Sequence, residues 1–363
     1  MRLQVTQENL NRALSSVARV ADVRGTLPIL ANVLIRATKN RLSVAATNLD
    51  IGITHFVGAK IEEEGVITVP ANLLASFIAS LPSDVINLEI EDHKLKVTTD
   101  QYQSVINGIS ADDFPVMPAI ENGEEFSIPA QVFRRGLQQV VFAAASNDSR
   151  PVLTGVYLHT SNGEMFMAAT DSSRLSEKKL GKGPDSLKLI APATAMTDLL
   201  RVLDDQVETV TVIKDDQQAM FKFGDIELLT RLIDSNYPDY QSLIPSKSAV
   251  KAILKRSELT NVVKVSSLFA RETAGSITIE VDEDTQTIGI RSLASQLGEN
   301  NAKASAKVTG SGTVTLNSRF LLDGLGAFSG ENIEFSFNGK LEPITLKDTA
   351  SADFVHIIMP LKA

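Results

Sequence analysis

Cysteine is absent from all 363 residues, which excludes disulfides, thiolate metal ligands and cysteine nucleophiles. Histidine is scarce: His55, His93, His159 and His356 stand alone, mostly in strand-like segments, where such residues are read as structural. With no HExxH and no Cys/His cluster, a zinc site is not expected. Phosphate-loop glycines are missing too. Gly181-Lys182-Gly183 lacks the rest of that frame and reads as a turn, and Gly310-Ser311-Gly312 precedes a strand instead of a helix. Asp204-Asp205 falls at a helix end, where a solvated turn explains the pair better than metal ligation. No apolar window approaches the roughly 18 residues that span a bilayer. The opening MRLQVTQENLNRAL has no basic stretch followed by an apolar run, so the expectation is a soluble, cytoplasmic protein. No serine is marked as a nucleophile. The expectation is a protein that catalyses no reaction and needs no metal or cofactor.

Positive charge is also in deficit. The 35 Lys and Arg against 44 Asp and Glu give a net charge of −9, which on average argues against a nucleic-acid partner. Distribution matters more than the average. Acidic runs (Glu62-Glu63-Glu64, Asp215-Asp216, Asp282-Glu283-Asp284) fall between strand-like segments, whereas several basic residues fall on expected helices.

What the chain does have is a faint repeat. Pro28-Ile29-Leu30 returns as Pro151-Val152-Leu153, and Thr47 returns as Thr170, each 123 residues later. Val69-Pro70-Ala71 is echoed by Ala191-Pro192-Ala193 at 122, and Asp113-Phe114-Pro115 by Asn236-Tyr237-Pro238 at 123. A more worn third copy is visible in TVTLNSRFLLDGLGAF at 313–328. One offset that explains separated matches implies three copies of one domain, each of ordinary size. The boundaries are placed at 1–122, 123–248 and 249–363.

Each copy opens with a helical stripe: Leu10, Leu14 and Val17; Phe133, Leu137 and Val141; Leu259, Val263 and Leu268. A hairpin follows, turning near Asn40, at Asn162-Gly163 and near Asp284. A second helix is expected around 71–81, 193–203 and 317–327, then a further hairpin turning near Asp92, Asp215 and Asn338-Gly339. Two helices and about eight strands per unit make an α+β architecture with antiparallel sheets.

The three tandem units, TLPIL in the first, ATDSSRL and DSNYPDY in the second, and the terminal HIIMPLKA resemble the bacterial sliding clamp family, the beta subunits of DNA polymerase III. The resemblance spans the whole chain. It implies a head-to-tail homodimer whose six domains close a ring around duplex DNA, helices lining the hole. Closed symmetry is the alternative to an open filament. By similarity, the end-to-end contact would involve Val105 and Ile106 in the first unit and Leu268 and Phe269 in the third. Arg24 and Arg150 would contact DNA, with Arg12, Arg19, Arg134, Arg135, Arg201 and Lys264 added from helix position. Such contacts would go to phosphates and read no sequence.

The resemblance further implies an apolar cleft that takes short linear peptides from the replicative polymerase alpha subunit, the clamp-loader delta subunit and other partners. The matching positions are Leu153, Thr170, Ser172, Arg174, Leu175, Pro238, Leu243, Leu341, Ile357, Met359, Pro360 and Leu361. An adaptable methionine beside branched aliphatics suits several partners. The implied function is a processivity factor within a nucleotidyltransferase assembly, itself non-catalytic. Two departures stand out. The family usually reads TDGHRL where this chain has Thr170-Asp171-Ser172-Ser173-Arg174-Leu175, and Ala193-Thr194-Ala195 follows Pro192 where basic residues are common.

Overall fold

The computed structural model describes residues 1–21, 27–39, 41–147, 149–294 and 298–362. The first repeat runs β1 (Arg2–Thr6), α1 (Gln7–Val17), β2 (Asn32–Thr38), β3 (Arg41–Thr47), β4 (Ile51–Val57), β5 (Lys60–Glu63) and β6 (Gly65–Pro70). It continues with α2 (Ala71–Ser80), β7 (Val85–Glu91), β8 (Lys94–Thr98) and β9 (Gln103–Asn107). The second has β10 (Glu124–Pro129), α3 (Ala130–Val140), β11 (Gly155–Ser161), β12 (Glu164–Thr170), β13 (Arg174–Lys182) and β14 (Lys188–Pro192). It closes with α4 (Ala193–Val202), β15 (Thr209–Lys214), β16 (Gln218–Phe223) and β17 (Ile226–Arg231). The third has β18 (Val250–Lys255), α5 (Arg256–Phe269), β19 (Ser276–Asp282), β20 (Thr287–Ala294), β21 (Gly298–Ser305) and β22 (Lys307–Thr309). It ends with β23 (Gly312–Asn317), α6 (Ser318–Ala327), β24 (Asn332–Phe337), β25 (Ile344–Asp348) and β26 (Phe354–Ile358).

Local chemistry explains the boundaries. Proline ends β6, β10 and β14 at Pro70, Pro129 and Pro192, and a helix begins at the next residue each time. A residue without an N–H stops the ladder yet wastes no donor at a helix start. Thr6 caps α1 by accepting from Asn9 N, and Asn317 caps α6 by accepting from Arg319 N. The Asn162-Gly163 turn has φ of 53° and 76°, as its two-residue hairpin requires. Asp92 and His93 make the corresponding turn without glycine, at φ 43° and 61°.

The chain divides into two compact units, Met1–Gln131 with Asp198–Leu232, and Val132–Thr197 with Ile233–Ala363. The first holds a five-stranded sheet, β5-β1-β7-β8-β9, and an eight-stranded one, β10-β15-β16-β17-β4-β3-β2-β6. The second holds β14-β11-β12-β13-β26-β25-β24-β18-β22 and β21-β20-β19-β23. The long sheets cross repeats: β17 pairs antiparallel with β4, and β26 with β13. That sharing is why the compact units do not follow the repeats.

Buried stripes seat the helices on the sheets. Leu10, Ala13, Leu14 and Val17 are buried in α1, which packs on α2. In the second unit Leu259 and Val263 of α5 and Leu321 and Leu325 of α6 join Ile277, Ile279, Ile288 and Phe335 in one cluster.

Several expectations change. The α3 stripe ends on buried Val140, with Val141 already in a 3-10 turn, and the α5 stripe leaves Leu268 outside. Gly181-Lys182 is no turn but lies inside β13, where Gly181 takes φ 109° beside a bulge. Glu62 and Glu63 belong to β5 instead of a loop. The turn near Asn40 lies outside the described residues.

Candidate functional site

The cationic residues expected on helices are mostly there and mostly solvated. Arg12 is exposed on α1 and Arg19 just beyond its end; Arg135 on α3, Arg201 in the last turn of α4 and Lys264 on α5 are exposed as well. Local partners hold several of them. Arg12 reaches Asn9 Oδ1 at 3.4 Å, Arg135 donates to Ser329 Oγ, and Arg201 pairs with Asp198 at 3.0 Å. Arg134 is half-buried. Arg150 does not stand free near its helix but donates to Ser172 Oγ at 3.2 Å. Arg24 lies outside the described residues.

The second unit assembles the other group of sequence-marked residues around one turn. Thr170 Oγ1 donates to Arg174 O at 2.6 Å and accepts from Ser172 N at 3.1 Å. Asp171 Oδ1 accepts from Ser173 N at 2.9 Å and Arg174 N at 3.0 Å. Ser172 is thereby held at φ 75°, a left-handed conformation natural to glycine.

Arg174 leaves this turn to join two ion pairs, to Asp171 at 3.0 Å and to Asp323 of α6 at 2.6 Å. Its guanidinium lies 4.6 Å from the Phe320 ring centroid and 5.5 Å from that of Phe142. Beneath it, His356 Nδ1 and Ser176 Oγ are 2.8 Å apart, and Gly324 lets α6 approach the imidazole where a Cβ would collide. Burial, with nearby Arg174, pushes His356 down to about 3, so the ring is neutral.

An aromatic stack positions the rest. Tyr157 stacks on Tyr237 and on His159, both at 4.6 Å between centroids, and His159 Nε2 lies 2.6 Å from the Tyr240 hydroxyl. Tyr240 packs with Ala168, Leu175, Val355 and Ile357, and Tyr237 and Ile244 cover that cluster. The anchored 237–244 segment presents Pro238 and Leu243 to solvent. Burial pushes Glu177, which lies beside Tyr240 and Gln241, above the usual carboxylate range. The tail is pinned on the other side: β26 pairs with β13, Met359 N donates to Ser173 O and Leu361 N to Thr315 O, each at 2.8 Å.

Leu153, Leu175 and Ile357 lie beneath this surface, almost wholly buried, and do not line it. Thr170, Met359, Pro360 and Leu361 are half-exposed, Arg174 is mostly buried, and Ser172, Pro238, Leu243 and Leu341 are exposed. Nothing in the local sequence singles out Asp323, Phe142 or Phe320 as partners of Arg174. Tyr237 and Tyr240 stand in DSNYPDY, but the stacking of Tyr237 on Tyr157 and the hydrogen bond between Tyr240 and His159 are not legible there.

At the ends of the repeat series, Val105 points out of edge strand β9, whereas Ile106 packs inward and is buried. Strand alternation explains the split. Leu268 is exposed and Phe269 half-buried at the end of α5.

Ser16 and His55 form a second serine-histidine pair at 2.8 Å. All four residues of these pairs are buried, and Ser16 donates to Ala13 O, so neither pair presents a nucleophile. Among the described residues no group of three or more His, Cys, Asp or Glu could hold a metal ion. No helix among them is long and apolar enough to cross a membrane.

Three family models match in tandem: the N-terminal domain of the DNA polymerase III beta subunit at residues 1–118, the central domain at 127–239 and the C-terminal domain at 241–362. The chain is 28% identical to the beta sliding clamp of Bacillus subtilis, with 100% of both chains covered. It is 30% identical to that of Synechococcus elongatus, covering 100% of this chain and 99% of the other. The crystal structure of the Bacillus subtilis DNA polymerase sliding clamp superposes with a TM-score of 0.94 at 27% identity, covering 100% of this chain and 99% of that one. Three matched domains in series, shared antiparallel sheets and a full-length structural likeness place the chain in the DNA polymerase III beta subunit family, the sliding clamps of DNA replication.

Proposed function

We propose that the chain works as a head-to-tail homodimer that encircles duplex DNA and tethers a replicative polymerase without catalysing any reaction. One observation carries this reading. In the second and third repeats the closing strands, β17 and β26, each pair with a strand of the preceding repeat, β4 and β13. The equivalent strand of the first repeat, β9, is a sheet edge, and so is β21, the third-repeat equivalent of β4 and β13. The same pairing, made between copies, joins β9 of one chain to β21 of another. Exposed edges of this kind favour pairing with a second chain. Val105 on β9 and Leu268 on α5, which packs on β21, are exposed apolar residues near these edges, and Phe269 follows Leu268 half-buried.

The domains are taken as 1–122, 123–248 and 249–363. Arg12, Arg19, Arg134, Arg135, Arg201 and Lys264 supply weak phosphate contacts, and Arg24 and Arg150 keep the same assignment by family resemblance. Non-specific contacts of this class let a protein slide. The surface around Arg174, Leu243 and Met359 to Leu361 takes linear peptides from the polymerase alpha subunit, the loader delta subunit and other partners. Linkage to an encircling ring raises the effective polymerase concentration at the primer end. The test is retention after loading: the protein stays on nicked circular DNA and leaves linear DNA through its ends. Equal retention on both would reject encirclement.

A further inference from the structure

Two turns 123 residues apart are built from the same hydrogen bonds. Thr47 Oγ1 donates to Ile51 O at 2.9 Å and accepts from Leu49 N at 3.0 Å. Asn48 Oδ1 accepts from Asp50 N at 3.1 Å and Ile51 N at 2.8 Å, and Leu49 takes φ 78°. This is the Thr170–Arg174 arrangement bond for bond. The strand leaving each turn also pairs with the last strand of the next repeat. Arg231 N donates to Asp50 O at 3.0 Å, as Met359 N donates to Ser173 O at 2.8 Å. The first junction lies wholly within the first compact unit.

The side chains on this shared frame differ in a consistent direction. Leu27 stands where the second repeat has Arg150, Leu49 where it has Ser172, and Val116 where it has Asp239. They are 47%, 50% and 90% exposed. Met117, in place of Tyr240, accepts from Thr54 Oγ1 at 3.5 Å and lies over Gly52, which has no side chain to displace it. A methionine there is free to shift as a ligand arrives. Among the described residues of the same segments Asp50, Asp112, Asp113 and Glu121 are exposed, against one exposed guanidinium, that of Arg231. The charge favours a cationic visitor.

We propose that the surface around the Thr47–Ile51 turn is a second docking site, which takes an extended apolar peptide segment flanked by lysine or arginine from a partner protein. It rests on the reading of the Thr170–Arg174 region as a peptide cleft. The probe is a fluorescein-labelled peptide of about ten residues, with alternate leucines and two lysines at each end. Binding to the intact protein is followed by anisotropy and calorimetry for the wild type, L49D/V116D and L243D, all at exposed positions.

The expected result is two peptides per chain. L49D/V116D weakens one class at least tenfold and spares the other, and glutamate in place of the flanking lysines weakens that same class about tenfold. Unchanged stoichiometry and affinities in L49D/V116D would overturn the site, as would indifference of its class to flank charge. Dissociation of the L49D/V116D dimer on light scattering would reassign the patch to contact between copies and equally overturn it. If L243D leaves binding intact while L49D/V116D reduces it, the cleft reading fails and the second site stands.

Discussion

Arg174 answers to two carboxylates and two aromatic rings, and its side chain is only 11% exposed. Removing one partner of so enclosed a pair leaves the other uncompensated. Arg174→Ala is therefore expected to destabilise the protein by about 3 kcal/mol in urea titration. Arg174→Lys recovers little of that loss, because a point charge cannot engage both carboxylates and lie against the rings as a planar fork does. The buried histidines give a pH prediction at the same scale. Burial pushes His55 down to about 4 and His356 to about 3, against 6.5 in an unfolded chain. Below pH 6.5 the unfolded state binds protons that the folded state refuses, so stability falls as pH drops towards 4. Urea midpoints measured from about pH 7 to pH 4 decline in the wild type, and less steeply in H55Q and H356Q.

At the scale of elements, the hairpins and edges decide what can change. Gly163 holds φ 76° with open space around it, so Gly163→Val meets no clash but strains the backbone. A loss of about 1–2 kcal/mol is expected, read from the thermal midpoint. Edge strand β9 is the opposite case. Val105 is 57% exposed, so Val105→Lys is expected to leave the fold and its circular dichroism intact and, if the proposed β9–β21 contact forms the dimer, to weaken it at least tenfold on light scattering. Element order was legible in the sequence because stripes such as Leu10, Leu14 and Val17 and turns such as Asn162-Gly163 are written in neighbouring residues. Sheet membership was not legible, since the pairing of β17 with β4 joins residues 171 to 179 positions apart.

At the scale of the whole molecule, the proposed function requires a chain of net charge −9 to meet polyanionic DNA through a minority of exposed cations. Arg12, Arg19 and Lys264 are exposed, so changing all three to glutamine is expected to leave the melting temperature unchanged. The log–log salt slope of DNA binding becomes shallower by roughly one for each phosphate left without its cation, as filter binding between about 50 and 200 mM salt would show. An unchanged slope would remove these residues from the DNA-facing set.

From the sequence alone came a triplicated α+β chain, through its repeat offset and apolar periodicities, and a resemblance to the sliding clamps, through short motifs, because all of these depend only on covalent order. The sequence also marked Arg174 and the Met359-Pro360-Leu361 tail. Folding decided how they meet: Asp323 reaches Arg174 from another repeat, and Leu175 and Ile357 sink beneath the surface they were expected to line. Inward or outward orientation on a strand depends on which sheet covers which face. That packing is made between residues far apart in the chain, so only the three-dimensional arrangement could supply it.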